Sequence, residues 1–258
     1  MAYELAANRF LKHLDETLAP GLVSGFYVVG SAALRSWRPG RSDLDALVVL
    51  DRPLTASELE DVRNMHARLE ADRGRGPHSD GHYVLAEELG MRSEARVPTV
   101  VDGQLLPDGN TTDPVLWAVL DRHGITLRGR PAAELGAGPD PAWLRQWNHR
   151  NLESYWRSHL GFRPRLAGQR PDEAMDPYLL AWFVTGPGRL HATIVTGEII
   201  SKEAAADYTA DLFPEYADLC SRALAYRLGN QTVTYTAAEA LRTLDLIEAV
   251  CDSAAMLP

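Results

Sequence analysis

Residues 30–50 read GSAALRSWRPGRSDLDALVVL, and the interpretation of this stretch decides the fold. A short apolar run, Ser24–Val29 (SGFYVV), leads into it and stops at Gly30. Leu44–Leu50 then reads as a second strand, rich enough in Val and Leu to be buried on both faces. Asp43 and Asp45 stand at its start. Residues two apart on a strand share a face, so the two carboxylates lie side by side, roughly 7 Å apart at Cα. Two unpaired carboxylates buried together are costly, so the arrangement calls for a cation. Paired oxygen donors of this kind suit one or two hard divalent ions. Upstream, Gly30 allows close approach of backbone to a phosphate. Ser31 offers a hydroxyl and an N–H at a helix start, where anions bind well. Arg35, Arg38 and Arg41 place positive charge nearby.

Outward from this stretch, residues 4–18 alternate in a helical pattern. Thr55 and Glu58 form a capping box ahead of the stripe Leu59, Val62, Met65 or His66, and Leu69, which predicts a helix. Arg73–Ser79 (RGRGPHS) reads as a loop, His82–Leu85 as a third strand and Val97–Val101 as a fourth. A helix near Pro114–Arg122 ends at Gly124, followed by a short strand, Ile125–Arg128. Gly136–Pro141 (GAGPDP) marks a domain boundary. Beyond it the pattern is helical: Ala142–Leu160, Asp176–Thr196, Ser201–Leu212, Glu215–Leu228 and Ala237–Ala254. Trp143, Trp147, Tyr155 and Trp156 recur at helical spacing and read as core or interface residues.

The expectation is therefore an α+β protein. A first domain, residues 1–138, has a mixed β-sheet with flanking helices. An all-α helical bundle, residues 139–258, closes a cleft that is the default ligand site.

The 258 residues carry a net charge of −9, against the grain of a nucleic-acid binder and better suited to a small cationic substrate. No apolar run approaches a membrane span, and the N-terminus lacks the order of a signal peptide, so a cytoplasmic protein is expected. Cys220 and Cys251 fall in apolar helical patterns and read as buried free thiols. His78 and His82 flank Asp80 without a third ligand nearby, a poor basis for a zinc site.

The run GSAALRSWRPGRSDLDALVV resembles the signature of the polymerase-beta-type nucleotidyltransferases, a Gly-Ser, a loop and then Asp-x-Asp. HGITLRGRPAAEL (123–135) and RLHATIVTGEIISKEAAADY (189–208) narrow the resemblance to the streptomycin/spectinomycin (aminoglycoside) adenylyltransferase family. The resemblance implies a nucleotidyltransferase domain followed by a helical domain. By it, Asp43 and Asp45 bind Mg²⁺, while Gly30, Ser31 and Ser42 lie against the phosphates of ATP. A third acid acts as general base toward the acceptor hydroxyl. The family carries Glu there; the matching segment here, SDGHYVL, offers Asp80, with Glu87 and Glu88 as alternatives. Arg189 and Lys202 match positions that reach the triphosphate, and Asp176 and Trp182 lie on the acceptor side; Tyr226 reads either as a residue stacking or hydrogen-bonding near the nucleotide or as a core tyrosine.

Two departures stand out. Gly186-Pro187-Gly188 falls inside a family helix and is expected to kink or break it. VDGQLLPDGN stands where the family has a tryptophan-bearing segment. The implied function is transfer of AMP from Mg-ATP to a hydroxyl of a small cationic, sugar-like acceptor, such as an aminocyclitol antibiotic of streptomycin or spectinomycin type. The rivals are the same chemistry on a protein or another metabolite, and a nucleotide-binding module without turnover.

Overall fold

The computed structural model describes residues 2–74 and 76–258; Met1, and Arg75 within the expected 73–79 loop, lie outside them. The chain divides into two compact units, Met1–Asp140 and Pro141–Pro258.

The first unit runs α1 (Ala2–Thr17), β1 (Val23–Val28), α2 (Gly30–Ala33), β2 (Leu44–Leu50), α3 (Ala56–Ala71), β3 (Ser79–Leu85), β4 (Arg96–Val101), β5 (Gln104–Thr111), α4 (Pro114–His123) and β6 (Ile125–Arg128). Its six strands form one mixed sheet in the order β5-β4-β3-β2-β1-β6. Only β2 and β3 run parallel; the other neighbours are antiparallel. The parallel pair needs a crossover, and α3 supplies it.

Alternation along β2 sorts its side chains. Leu44, Ala46, Val48 and Leu50 enter a core with Phe10 and Leu14 of α1 and Val62, Met65 and Leu69 of α3. Asp45 therefore points to the opposite face. The expected capping box of α3 is present: Thr55 Oγ1 accepts from the Glu58 amide, and Glu58 accepts from the Thr55 amide.

Inside this core His66 Nε2 meets the Tyr83 hydroxyl at 2.8 Å, and its Nδ1 is buried with no hydrogen-bond partner. Burial holds the imidazole pKa down to about 3, against 6.5 in its ordinary state. The unfolded chain takes a proton near pH 6.5, and the folded one refuses it down to about pH 3. Stability owed to this group is complete above pH 6.5 and is lost as pH falls between those values. Urea unfolding from pH 7 to 4 is expected to show a steeper loss in the wild type than in His66→Gln. Parallel pH profiles would refute this account of His66.

The second unit holds α5 (Pro141–Asn151), α6 (Arg163–Ala167), α7 (Pro177–Thr196), α8 (Lys202–Leu212), α9 (Ala217–Arg227) and α10 (Ala237–Ala255). The expected single helix over 142–160 is instead α5, a π-helical turn (Leu152–Trp156) and a 3₁₀ stretch (Arg157–Phe162). Leu180, Val184 and Ile194 of α7 share a core with Leu219 and Ala223 of α9 and Leu244, Ile247 and Val250 of α10. Cys220 and Cys251 are buried and free in the same core. No helix among the described residues is long and apolar enough to cross a membrane.

Of the kink or break expected at Gly186-Pro187-Gly188, the break does not occur: α7 runs from Pro177 to Thr196 with Pro187 inside it. Proline forfeits one helical hydrogen bond, at about 3 kcal/mol. The flanking glycines explain why the helix persists. A Cβ at Gly186 would overlap the Trp156 indole, and one at Gly188 would overlap the Thr209 hydroxyl. Neighbouring elements thus pack directly on the α7 backbone, and that packing offsets the loss at proline. Gly186→Ala drives a methyl into Trp156 and is expected to destabilise the protein by about 1–3 kcal/mol in urea titrations. An unchanged unfolding midpoint would contradict this packing.

Candidate active site

The site grows from the ends of β1, β2 and β3. The Val29 amide donates to the Asp45 carbonyl at 2.9 Å, closing the β1–β2 ladder. The chain then turns at Gly30, whose φ of +57° lies in the left-handed region. A Cβ at Gly30 would overlap the Asp45 carboxylate and lie 2.6 Å from its Cγ. So the carboxylate of Asp45 rests directly on the Gly-Ser turn. Gly30, expected to admit a phosphate to the backbone, also makes room for Asp45.

Ser31 follows in α2, and its Oγ is buried with no hydrogen-bond partner. A buried orphan hydroxyl is costly, so its position suits a ligand able to pair with it. The loop back to β2 is stapled by Ser42: its Oγ accepts from the Arg38 amide at 3.1 Å, and its amide donates to the Arg38 carbonyl at 3.0 Å. Ser42 thus sets the loop that delivers Asp43. Arg35 in the same loop has a φ of +55°, unusual for a non-glycine residue.

Asp43 is exposed and Asp45 half-buried, on either side of the fully buried Leu44. Asp45 is the second residue of β2, and Asp43 stands just before the strand. No group of three or more metal-ligating side chains occurs among the described residues. A divalent ion here would complete its shell from a substrate's oxygens and water, as Mg²⁺ commonly does.

The third acid lies in register. β2 and β3 pair Asp45 with Asp80, and residues in register on a parallel pair face the same way. β3 begins at Ser79, three residues earlier than the sequence reading, and this places Asp80 on the strand rather than in a loop. Asp80 accepts the Asp102 amide at Oδ2 (3.1 Å) and the Gly103 amide at Oδ1 (3.0 Å). Burial raises its pKa above the ordinary carboxylate value; the two amides oppose this, and the charges of Asp43 and Asp102 add to it. Glu87 and Glu88 lie in a 3₁₀ turn beyond the far end of β3, over roughly 15 Å from Asp80 by strand rise. Glu88 caps that turn through the Leu85 amide at 2.7 Å. Neither stands beside the Asp43–Asp45 pair.

Sequence reading missed the Asp102–Gly103 contact. The segment VDGQLLPDGN forms the end of β4, the hairpin tip and all of β5 but its last residue. Its signal was Asp-Gly between two strand-forming runs.

A family model for the nucleotidyltransferase domain matches residues 8–95. That span holds Gly30, Ser31, Ser42, Asp43, Asp45 and Asp80. Residues 8–95 are similar to a nucleotidyltransferase domain. The fold is also that of the spectinomycin adenyltransferase AAD(9) from Enterococcus faecialis, solved with ATP and spectinomycin. The likeness has a TM-score of 0.68 and 17% identity, covering 97% of this chain and 98% of the other. No curated protein matches the sequence. The nucleotidyltransferase domain and the all-helical unit after it are the architecture that the family resemblance implied.

In the helical unit, Lys202 opens α8 with its ammonium 5.4 Å from the centroid of the Trp182 ring. Trp182 stacks on Tyr178 (6.1 Å, 24°) and lies 5.8 Å from Trp156. A residue expected at the triphosphate and one expected at the acceptor are therefore in contact. Asp176, expected to meet an acceptor ammonium, is the exposed N-cap of α7 and accepts the Tyr178 amide at 2.9 Å. Arg189 is in the middle of α7, where its carbonyl accepts the Thr193 hydroxyl at 3.0 Å. Tyr226 is half-buried on α9.

Proposed function

We propose that the protein transfers AMP from Mg-ATP to a hydroxyl of a small cationic, sugar-like acceptor of the spectinomycin or streptomycin type. One observation carries the reading: Asp45 and Asp80 pair in register beside the Gly30-Ser31 turn, with Asp43 just ahead of the same strand and its charge felt by Asp80. Asp43 and Asp45 would hold Mg²⁺, which when bound neutralises charge on the phosphate oxygens. Ser31 offers its unpaired hydroxyl to a phosphate oxygen. Asp80 takes the proton of the acceptor hydroxyl, whose oxygen bonds to the α-phosphorus as the bond to the leaving pyrophosphate breaks. The partial burial that raises the Asp80 pKa makes it a better proton acceptor than an exposed aspartate. Following the family resemblance, Arg189, Lys202 and Tyr226 are assigned to the nucleotide, and Asp176 and Trp182 to the acceptor. The net charge of −9 favours encounter with a cationic acceptor.

The test is mass spectrometry of spectinomycin, streptomycin and an uncharged cyclitol, each incubated with the protein, ATP and Mg²⁺. A cationic acceptor gaining one AMP, with matching pyrophosphate release that stops on chelation, is the expected result. ATP binding with no adduct on either antibiotic would overturn the reading.

A further inference from the structure

The carboxylate of Asp80 does not stand on its strand alone. Each of its oxygens accepts one backbone amide from the tip of the β4–β5 hairpin, at 3.0 and 3.1 Å. Two amides in a fixed peptide frame prevent the carboxylate from turning about its own axis, and leave each oxygen a further lone pair. Both donor residues have left-handed backbones, with φ of +51° at Asp102 and +71° at Gly103, the signature of a type I′ hairpin turn. Among described non-glycine residues, Asp102 shares a positive φ only with Arg35, in the loop between Gly30 and Asp43.

The tip is itself held from behind. A Cβ at Gly103 would lie 2.6 Å from Oε2 and 3.2 Å from Cβ of Glu70 on α3. Glu70 is fixed by Arg73 and by His78 Nδ1 at 2.9 Å. The His78 carbonyl accepts the Leu44 amide at 2.9 Å, within the Asp43-Leu44-Asp45 segment. The turn thus packs on Glu70, and His78 links Glu70 to the first residue of β2.

We propose that the Asp102–Gly103 turn is the positioning element of the transfer reaction, holding the Asp80 carboxylate in alignment with Asp43 and Asp45. The proposal rests on the reading of Asp80 as the base. Asp102 acts through its backbone, so what matters at 102 is a residue at ease in the left-handed region. Asn meets that requirement, Ala meets it poorly, and β-branched Val opposes it.

The experiment measures pyrophosphate release with ATP, Mg²⁺ and spectinomycin for Asp102→Asn, Asp102→Ala and Asp102→Val, each with and without Asp80→Ala. With Asp80 present, Val is expected to lower kcat by about tenfold to a hundredfold with the KM for ATP moved less than about twofold. Ala falls between, and Asn restores kcat to within about twofold of the wild type. In the Asp80→Ala background the Val substitution costs nothing further, because the turn acts through the group already removed. Thermal unfolding sets an assay temperature at which every variant is folded; if Val is too unstable, the same comparison is made with Ala. An equal loss in both backgrounds, or no loss with Asp80 present, overturns the positioning role. Full turnover by Asp80→Ala alone, or no turnover of spectinomycin by the wild type, removes the base assignment first and the inference with it.

Discussion

If Asp43 and Asp45 hold the metal as proposed, Asp43→Asn and Asp45→Asn are each expected to lower AMP transfer by roughly a thousandfold. Removing one anionic ligand strips away several kcal/mol of charge stabilisation, taken here as about 4. At about 1.4 kcal/mol per tenfold this gives the stated factor. Stability responds differently. Asp43 is exposed, and its charge opposes ionisation of Asp80. Asp43→Asn relieves that repulsion, so its unfolding midpoint stays level or rises. A residue kept for cation binding shows this split between function and stability, whereas a surface aspartate shows neither effect. Initial rates of pyrophosphate release beside urea titrations measure both, and a variant keeping more than half of the wild-type rate would remove Asp43 from the mechanism.

Gly30→Ala loses both activity and stability. The left-handed φ of +57° costs an alanine about 1–2 kcal/mol. The added methyl also meets the Asp45 carboxylate, and such overpacking costs about 1–3 kcal/mol. Asp45 can make room only by leaving its place, and a displacement of about 1 Å in a reacting constellation costs about a hundredfold. Gly21→Ala is the control: its φ is +84°, but nothing lies within 4 Å of an added Cβ. It should show the backbone penalty with turnover intact. Equal effects of the two substitutions on turnover would mean that Gly30 serves only its turn.

Much of this architecture is legible in the sequence where side chains alone decide the structure. β2 and β6 fall on the expected residues, because a run such as Leu44–Leu50 has no other stable use than a buried strand. α3 is announced by Thr55 and Glu58, whose reciprocal bonds are local. What escaped the reading depends on partners distant in sequence. Ser79, Asp80 and Gly81 carry no strand pattern, yet they extend β3 because β2 offers a parallel ladder in register. β5, for which no strand was expected, contains Pro107, Asp108 and Gly109, residues that disfavour strands; at the edge of the sheet a proline is tolerated. Pro187 reads as a helix breaker because the packing of Trp156 and Thr209 against its neighbours is invisible along the chain. Strand alternation fixes the face of Asp45 from sequence alone, whereas Asp43 stands one residue ahead of β2, where alternation does not reach. The amides on Asp80 come from more than twenty residues downstream, and nothing in local spacing links them.

The most direct test of the central claim is the position of a divalent ion. Crystals grown with Mn²⁺ and a non-hydrolysable ATP analogue should give an anomalous peak bridging the carboxylates of Asp43 and Asp45 to the triphosphate, and Asp43→Asn should abolish it. A peak away from both aspartates, or a nucleotide bound with no metal beside the Gly30-Ser31 turn, would contradict the account.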